Sequence, residues 1–158
     1  MSSLLHQLGS TRVGVWMIKH IVSPFDRWLY RMTDGRYLTS GRPLAPTLLL
    51  TTTGRKTGQL RTTPVFYLHD GEQVIICNVN PGFERPNPWT LNIRANNIVQ
   101  AQIGSSKNVY EAREAAESEI DKYWPKLVAL WPAYQRHFEN SGQRSIFILS
   151  PIMMTEHR

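Results

Sequence analysis

One stretch of the chain concentrates residues of the types that bind anions. Residues 51–64, with the sequence TTTGRKTGQLRTTP, place Arg55, Lys56 and Arg61 on and beside a turn bounded by two glycines. Six threonine hydroxyls surround these cations, and the glycines leave backbone N–H groups open to a ligand. Such a set can hold a phosphate or another oxyanion. The turn lacks the glycine spacing of a Walker A loop, and a solvated hairpin tip whose charges protect a sheet edge explains it equally well.

Other reactive side chains do not show the spacing of familiar catalytic or metal sites. The five histidines never pair at metal-ligand spacing and no HExxH motif occurs, so no metal site is predicted. No G-x-S-x-G sequence is present for a serine nucleophile. Cys77 ends an apolar run, which favours a small buried residue over a reactive thiol. Four aromatic residues recur at helical spacing late in the chain and either pack in the core or line a pocket for a flat ligand: Trp124, Trp131, Tyr134 and Phe138.

The elements that must position these residues are mostly strands. Apolar and β-branched runs predict six of them, at residues 47–53, 61–69, 73–78, 98–103, 108–113 and 145–149. Asp70-Gly71 is a hairpin signal between the second and third strands. Helices are predicted in the N-terminal third, with one starting at Ser23, and at residues 89–95 and 118–138. Hairpin-linked strands with few helices between them predict an α+β domain, in which a small antiparallel barrel closes on itself and helices pack outside.

Length and composition predict one globular unit of 158 residues, with a helical segment at residues 1–35 and a barrel domain at 36–158. The lone cysteine indicates a reducing, cytoplasmic compartment, and no apolar run is long enough to span a bilayer.

The net charge of +6 lies entirely in the first hundred residues and favours an anionic partner: a phosphorylated cofactor, an acidic lipid or nucleic acid. Nucleic acid is disfavoured, because no recognition-helix motif is present. The basic, apolar segment at residues 1–22 either packs on its own domain or makes peripheral contact with an anionic membrane.

Three segments of the chain, read together, resemble a known family. They are LLLTTTGRKTGQLRTTPVFYLHDGEQVIIC, NPWTLNIRANN and YWPKLVALWPAY, and they are similar in order and spacing to the deazaflavin-dependent nitroreductases of actinobacteria over about residues 20–150. The resemblance implies a split β-barrel that binds coenzyme F420, a deazaflavin with a phosphate and an acidic oligoglutamate tail. It also implies hydride transfer from the reduced cofactor to a small-molecule acceptor, namely a quinone, a nitroaromatic compound or an activated enone.

The resemblance further implies which residues form the site. The turn at Arg55, Lys56 and Thr57 corresponds to the family turn that holds the phosphate. Further cofactor contacts are implied on the second strand, at the end of the third strand and on the short helix: Arg61, Thr62, Thr63, Pro64, Val65, Phe66, Cys77, Asn78, Val79, Asn80, Pro88, Trp89, Leu91 and Asn92. Tyr134 is implied to lie over the cofactor, with a hydroxyl suited to stabilising negative charge on the acceptor.

Three positions of the implied acceptor pocket are Trp131, Tyr134 and His137. Nitroimidazole-reducing relatives carry tyrosine at all three, so a narrow nitro-prodrug activity does not follow from the resemblance. Two alternatives stay open: a split-barrel flavoprotein that uses FMN, and a non-catalytic protein that binds the deazaflavin. Monomer and homodimer are both compatible with the sequence.

Overall fold

Six antiparallel strands form a closed barrel in the computed structural model, which describes residues 23–32, 45–78 and 86–153. The strands are β1 (Thr47–Thr53), β2 (Leu60–Asp70), β3 (Gln73–Cys77), β4 (Ile98–Ile103), β5 (Ser106–Glu114) and β6 (Ile146–Pro151). Their order around the barrel is β1-β2-β3-β6-β5-β4, and β4 pairs with β1 to close it. The predicted α+β fold with an antiparallel barrel is therefore confirmed.

Four helices accompany these strands in the described part of the chain. They are α1 (Ser23–Met32), α2 (Pro88–Ala95), α3 (Glu117–Leu130) and α4 (Ala133–Ser141). The helices predicted from Ser23 and over residues 89–95 are confirmed, whereas the helix expected within residues 1–22 lies outside the described residues. None of the described helices has the length and apolarity needed to cross a membrane.

The strands place alternate side chains on the two faces of the barrel wall, as the pleat of a strand requires. Leu48 and Leu50 of β1 belong to a buried interior cluster together with Phe147 of β6. Ile75 and Ile148 belong to a second buried cluster, which α3 and α4 complete with Tyr123, Leu127 and Tyr134. Because side chains fill the interior, we expect a ligand to bind on the outer face of the wall.

The hairpin between β2 and β3 has the geometry that its sequence predicts. Asp70 pairs with Gln73, so Gly71 and Glu72 form a two-residue loop. Gly71 has φ = 62°, a left-handed conformation that glycine adopts without steric cost. The confirmed turn fixes the register of β2 against β3, and hence which residues of β2 face outward.

The late helical segment differs from its prediction. Residues 118–138 were expected to form one helix, but α3 ends at Leu130 and α4 begins at Ala133. The residue before a proline is disfavoured in the α region, and Trp131 before Pro132 is accordingly extended, with φ = −151° and ψ = 105°. The prediction of four aromatic residues on one helix is therefore wrong: Trp124 lies on α3, Trp131 lies at the corner, and Tyr134 and Phe138 lie on α4.

Candidate functional site

The loop between β1 and β2 forms a compact turn that depends on its two glycines. The Gly58 N–H donates to the Gly54 carbonyl at 2.8 Å, and the Gly54 N–H donates to the Gln59 carbonyl at 2.7 Å. Gly58 has φ = 70°, which favours glycine. A Cβ on Gly54 would lie 3.0 Å from both the Gln59 carbonyl oxygen and the Thr57 hydroxyl oxygen. The turn is thus closed by its own backbone.

Asn92 of α2 anchors this turn to the end of the barrel. Its Oδ1 accepts a hydrogen bond from the Arg55 N–H at 3.1 Å, and its Nδ2 donates to the Thr52 hydroxyl at 3.1 Å. Asn92 is 3% exposed and Thr52 is 1% exposed. The sequence places Asn92 beside the cofactor only through the family resemblance. Its anchoring role depends on the hydrogen bond to Thr52, which lies 40 residues earlier in the chain, and no local sequence pattern predicts such a contact.

These hydrogen bonds correct one expectation about the turn. The glycine-bounded loop was expected to leave its backbone N–H groups open, but those of Gly54, Arg55 and Gly58 are used inside the protein. Among the residues that the structure describes, no acceptor meets the N–H groups of Lys56 and Thr57. The open donors are therefore confined to the tip of the turn.

The cations of the turn have no counter-charge among the described residues. Arg55, Lys56 and Arg61 are exposed, and in residues 23–32, 45–78 and 86–153 no carboxylate forms an ion pair with them. Arg61 also borders a groove of about 340 Å³ between α1 and the start of β2, which Arg27 and Arg31 line from the helix. Uncompensated cations beside open amides fit a phosphate group, so this end of the site has the donor set that a phosphorylated cofactor requires.

The outer face of β2 leads from the turn to the aromatic corner. Since Val65 packs with the barrel interior, its neighbours Pro64 and Phe66 lie on the outer face. The Phe66 ring meets Trp131 edge-on, with 5.1 Å between centroids, and Trp131 meets Tyr134 in the same way at 5.4 Å. The fold therefore brings Phe66 of the second strand, Trp131 of the corner and Tyr134 of α4 together.

Tyr134 and His137 are buried polar residues one helical turn apart on α4. They are 2% and 8% exposed, and the described residues provide no hydrogen-bond partner for either side chain. Burial raises the pKa of Tyr134, with a smaller contribution from the neighbouring Cys77 thiol, so its hydroxyl stays protonated. Burial lowers the pKa of His137, so its imidazole is neutral at neutral pH. Tyr134 is thus a hydrogen-bond donor without an internal acceptor.

Cys77 lies beside Tyr134 and is not a nucleophile. It is 4% exposed, and burial raises the pKa of its thiol to about 12. Its Sγ donates to the Asn78 carbonyl at 3.5 Å. A thiol that stays protonated has little reactivity, so the interpretation of Cys77 as a small buried residue is confirmed.

The other predicted contacts fall in different environments. The Trp89 ring packs against Phe147 inside the barrel, 5.6 Å between centroids, so its side chain stabilises the interior. Asn78 is buried, and its Oδ1 accepts from the Asn87 N–H at 3.1 Å. Thr62 shares a 2.8 Å hydroxyl–hydroxyl hydrogen bond with Thr51. Thr63 and Leu91 are half-buried and Pro88 is exposed, while Val79 and Asn80 lie outside the described residues.

A closed six-stranded antiparallel barrel with external helices is the fold of the split β-barrel class. A solved F420-H2-dependent reductase, FDR-A, has this fold with a TM-score of 0.61 and 26% identity, covering 66% of this chain and 94% of that one. A second solved structure, described as a domain-swapped dimer, matches with a TM-score of 0.63 and 24% identity over 78% of this chain and 92% of its own, which supports the fold alone.

Within that class the family is also clear. The model of the F420H(2)-dependent quinone reductase family matches residues 25–151, and the chain belongs to this family. The F420H(2)-dependent quinone reductase Rv1261c of Mycobacterium tuberculosis is 36% identical over 137 residues, which cover 84% of this chain and 85% of the relative. The family uses F420H2 as its hydride donor, so the implied fold and cofactor are confirmed.

Proposed function

We propose that this chain transfers a hydride from reduced F420 to a quinone. The observation that carries the proposal is an anchored cationic turn at one end of an outer barrel face whose other end holds the Tyr134 hydroxyl. The membership in the quinone reductase family supports the same reaction. Quinone reduction consumes one hydride and one proton, and the hydride is the part that the cofactor supplies when bound.

The turn is the end of the site that would hold the phosphate. Lys56 and Arg61 offer charged donors, and the N–H groups of Lys56 and Thr57 offer neutral ones at the tip of the turn. Asn92 fixes the turn against the barrel, so these donors are positioned before the ligand arrives. Positioning in advance lowers the cost of ordering the loop on binding.

Tyr134 is the residue that would act on the acceptor. Negative charge develops on a quinone oxygen as the hydride arrives, and a hydroxyl donor aimed at that oxygen stabilises the charge. Tyr134 suits this role because it is protonated and buried and its hydroxyl has no acceptor among the described residues. Trp131 and His137 flank it, so they would set the shape of the acceptor pocket.

Several finer expectations stay predictions. They are nitroaromatic and enone acceptors, a monomeric or homodimeric state, a cytoplasmic location, and membrane contact through residues 1–22, which lie outside the described structure. FMN as the cofactor and binding without catalysis are the two alternatives that the experiment below must separate from the proposal.

The test is an anaerobic titration of the protein with oxidised and reduced F420, with FMN in parallel, followed by addition of menadione. We expect F420 to bind more tightly than FMN and menadione to oxidise F420H2 in a protein-dependent manner. Lys56→Ala should weaken F420 binding, whereas Lys107→Ala, an exposed lysine on β5, is the matched control. Preferential FMN binding would contradict the cofactor, and F420 binding without turnover would contradict the reaction.

A further inference from the structure

Arg144 lies between α3 and α4, two residues before β6 begins. Its guanidinium carbon is 5.2 Å from the centre of the Phe138 ring of α4 and 5.8 Å from the centre of the Trp124 ring of α3. The two rings also meet each other edge-on, with 5.6 Å between their centroids. A guanidinium group at such distances is attracted by the faces of aromatic rings. Arg144 therefore links the two helices at a point away from the corner that connects them.

The end of α4 places Arg144 in this position. Gly142 has φ = 68°, and its N–H donates to the Phe138 carbonyl at 2.7 Å, so the helix ends in a left-handed residue. Two residues later the Arg144 side chain reaches back to the Phe138 ring. Its Nη1 also lies 3.7 Å from the Asp121 carboxylate, but that side chain is 69% exposed, so the ion pair adds little. The ring contacts are therefore the main link.

The residues of α4 that form this link lie beside those of the proposed acceptor pocket. At 3.6 residues per turn, Phe138 and Gln135 lie about 40° and 100° from Tyr134 around the helix axis. His137 lies about 60° from Tyr134 in the opposite direction. Gln135 also accepts a 3.2 Å hydrogen bond from the indole N–H of Trp124. One side of α4 is thus fixed to α3, and the neighbouring side carries the pocket residues.

We propose that Arg144 is a positioning residue for quinone reduction, because it fixes the rotation of α4 and thereby the direction of the Tyr134 hydroxyl. This inference rests on the proposed function. Only residues 131 and 132 separate α3 from α4, so the corner holds one end of α4 and Arg144 holds the other. At the outer radius of a helix, about 5–6 Å, a rotation of about 10° moves a side-chain tip by about 1 Å. A displacement of that size can lower a rate by as much as about a hundredfold.

The test combines a double-mutant cycle with a spectroscopic measurement. Arg144→Gln removes the cation, and Arg136→Gln is the matched control, because Arg136 is an exposed arginine on the far side of α4 from Tyr134. Each change is made in the wild type and in the Tyr134→Phe variant, and kcat and KM are measured with F420H2 and menadione. In protein labelled with 3-fluorotyrosine, the fluorine NMR resonance of Tyr134 is followed without F420 or a quinone. The Tyr134→Phe variant identifies this resonance, which it lacks.

We expect Arg144→Gln to lower kcat about fivefold to tenfold, to leave the KM for F420H2 within about twofold, and to shift or broaden the Tyr134 resonance. In the Tyr134→Phe background the same change should alter kcat by less than about twofold, since a positioning residue has no effect once the group that it positions is gone. Arg144→Lys keeps a cation beside the rings and should recover most of the rate. Arg136→Gln should match the wild type in both measurements.

The proposal is overturned if Arg144→Gln leaves kcat or the Tyr134 resonance unchanged, or if its loss of kcat persists in the Tyr134→Phe background. If circular dichroism shows that Arg144→Gln does not fold, Arg144→Met takes its place with the same expectations, because it keeps an unbranched side chain between the rings. A wild type that does not oxidise F420H2 with menadione would refute the proposed function. The resonance would then still decide whether Arg144 orients Tyr134.

Discussion

Replacing Asn92 by alanine is expected to loosen the turn that we assign to phosphate binding. The change removes the acceptor of the Arg55 N–H and the donor to the Thr52 hydroxyl, both at 3.1 Å. Thr52 is 1% exposed, so water does not replace its lost partner, and a buried hydroxyl in that state costs about 1–3 kcal/mol. The Arg55 N–H lies on an exposed turn that water reaches. The free energy of unfolding should therefore fall by about 1–3 kcal/mol.

The same change should weaken F420 binding through the phosphate. If a displaced turn loses one charge-assisted hydrogen bond, worth about 1.5–3 kcal/mol, the Kd rises about tenfold to a hundredfold. The assay is a fluorescence titration, at a temperature where the variant is fully folded, with F420 and with a deazaflavin that lacks the phosphate. Affinity for the phosphate-free compound should change little, because the turn does not contact the ring system in our proposal.

Asn97→Ala is the matched control for this experiment. Asn97 is an exposed asparagine two residues beyond α2, and its side-chain amide donates to the exposed Glu111 carboxylate at 3.3 Å. Stability should change by less than about 0.5 kcal/mol and F420 affinity not at all. Wild-type F420 affinity in a folded but destabilised Asn92→Ala protein would refute the reasoning, since the turn would then hold its shape without the anchor.

Three further predictions concern α4 and the corner before it. Tyr134→Phe should lower kcat/KM for menadione about tenfold to a hundredfold by removing the donor to the acceptor oxygen, while the Tm stays the same or rises because the lost hydroxyl has no described partner. Burial lowers the pKa of His137, so the folded state resists protonation of this imidazole. The free energy of unfolding should therefore be fully retained above about pH 6.5 and fall as the pH decreases below that value. His137→Phe should reduce this fall, measured by denaturation at several pH values between about pH 7 and pH 5. Exchanging Trp131 and His137 together for tyrosine should shift the ratio of nitroaromatic to quinone turnover, measured by competition.

Each of these predictions has an outcome that contradicts it. Full activity in Tyr134→Phe would place charge stabilisation on another group, and a lower Tm would mean that the hydroxyl has a structural partner. An unchanged pH slope in His137→Phe would show that this imidazole does not titrate differently on folding. An unchanged acceptor ratio in the double tyrosine variant would exclude Trp131 and His137 as determinants of specificity.

The barrel was predictable because its strands have a local signature. The alternating strands and the Asp70-Gly71 turn define hairpins, and hairpins in series favour an antiparallel sheet. Pro132 is a local signal for the break between α3 and α4. The prediction of a single helix relied on the spacing of the aromatic residues and did not take this proline into account. Sequence patterns within a few residues were therefore sufficient to predict strands, hairpin turns and helix ends.

The site was only partly predictable, since its geometry depends on contacts between distant residues. The cations of the turn were visible in the sequence, but the clamp by Asn92 joins α2 to β1 across the barrel end. The placement of Trp89 in the interior depends on Phe147, which lies 58 residues later in the chain. The outward orientation of Trp28 on α1 depends on Tyr30 inserting towards β1 and β4, and periodicity alone does not say which side of a helix is covered.

The two faces of the barrel wall have a consequence for how such a protein changes over evolutionary time. Val65 of β2 packs with the barrel interior, whereas its neighbours Pro64 and Phe66 lie on the outer face, where we propose that the ligand binds. Neighbouring positions of one strand are thus constrained differently, one by packing in the interior and the next by ligand binding. Mutations can retune acceptor choice on the outside without disturbing the packing that keeps the chain folded. Proteins with this barrel can therefore change from one electron acceptor to another through single, independent substitutions on the outer face.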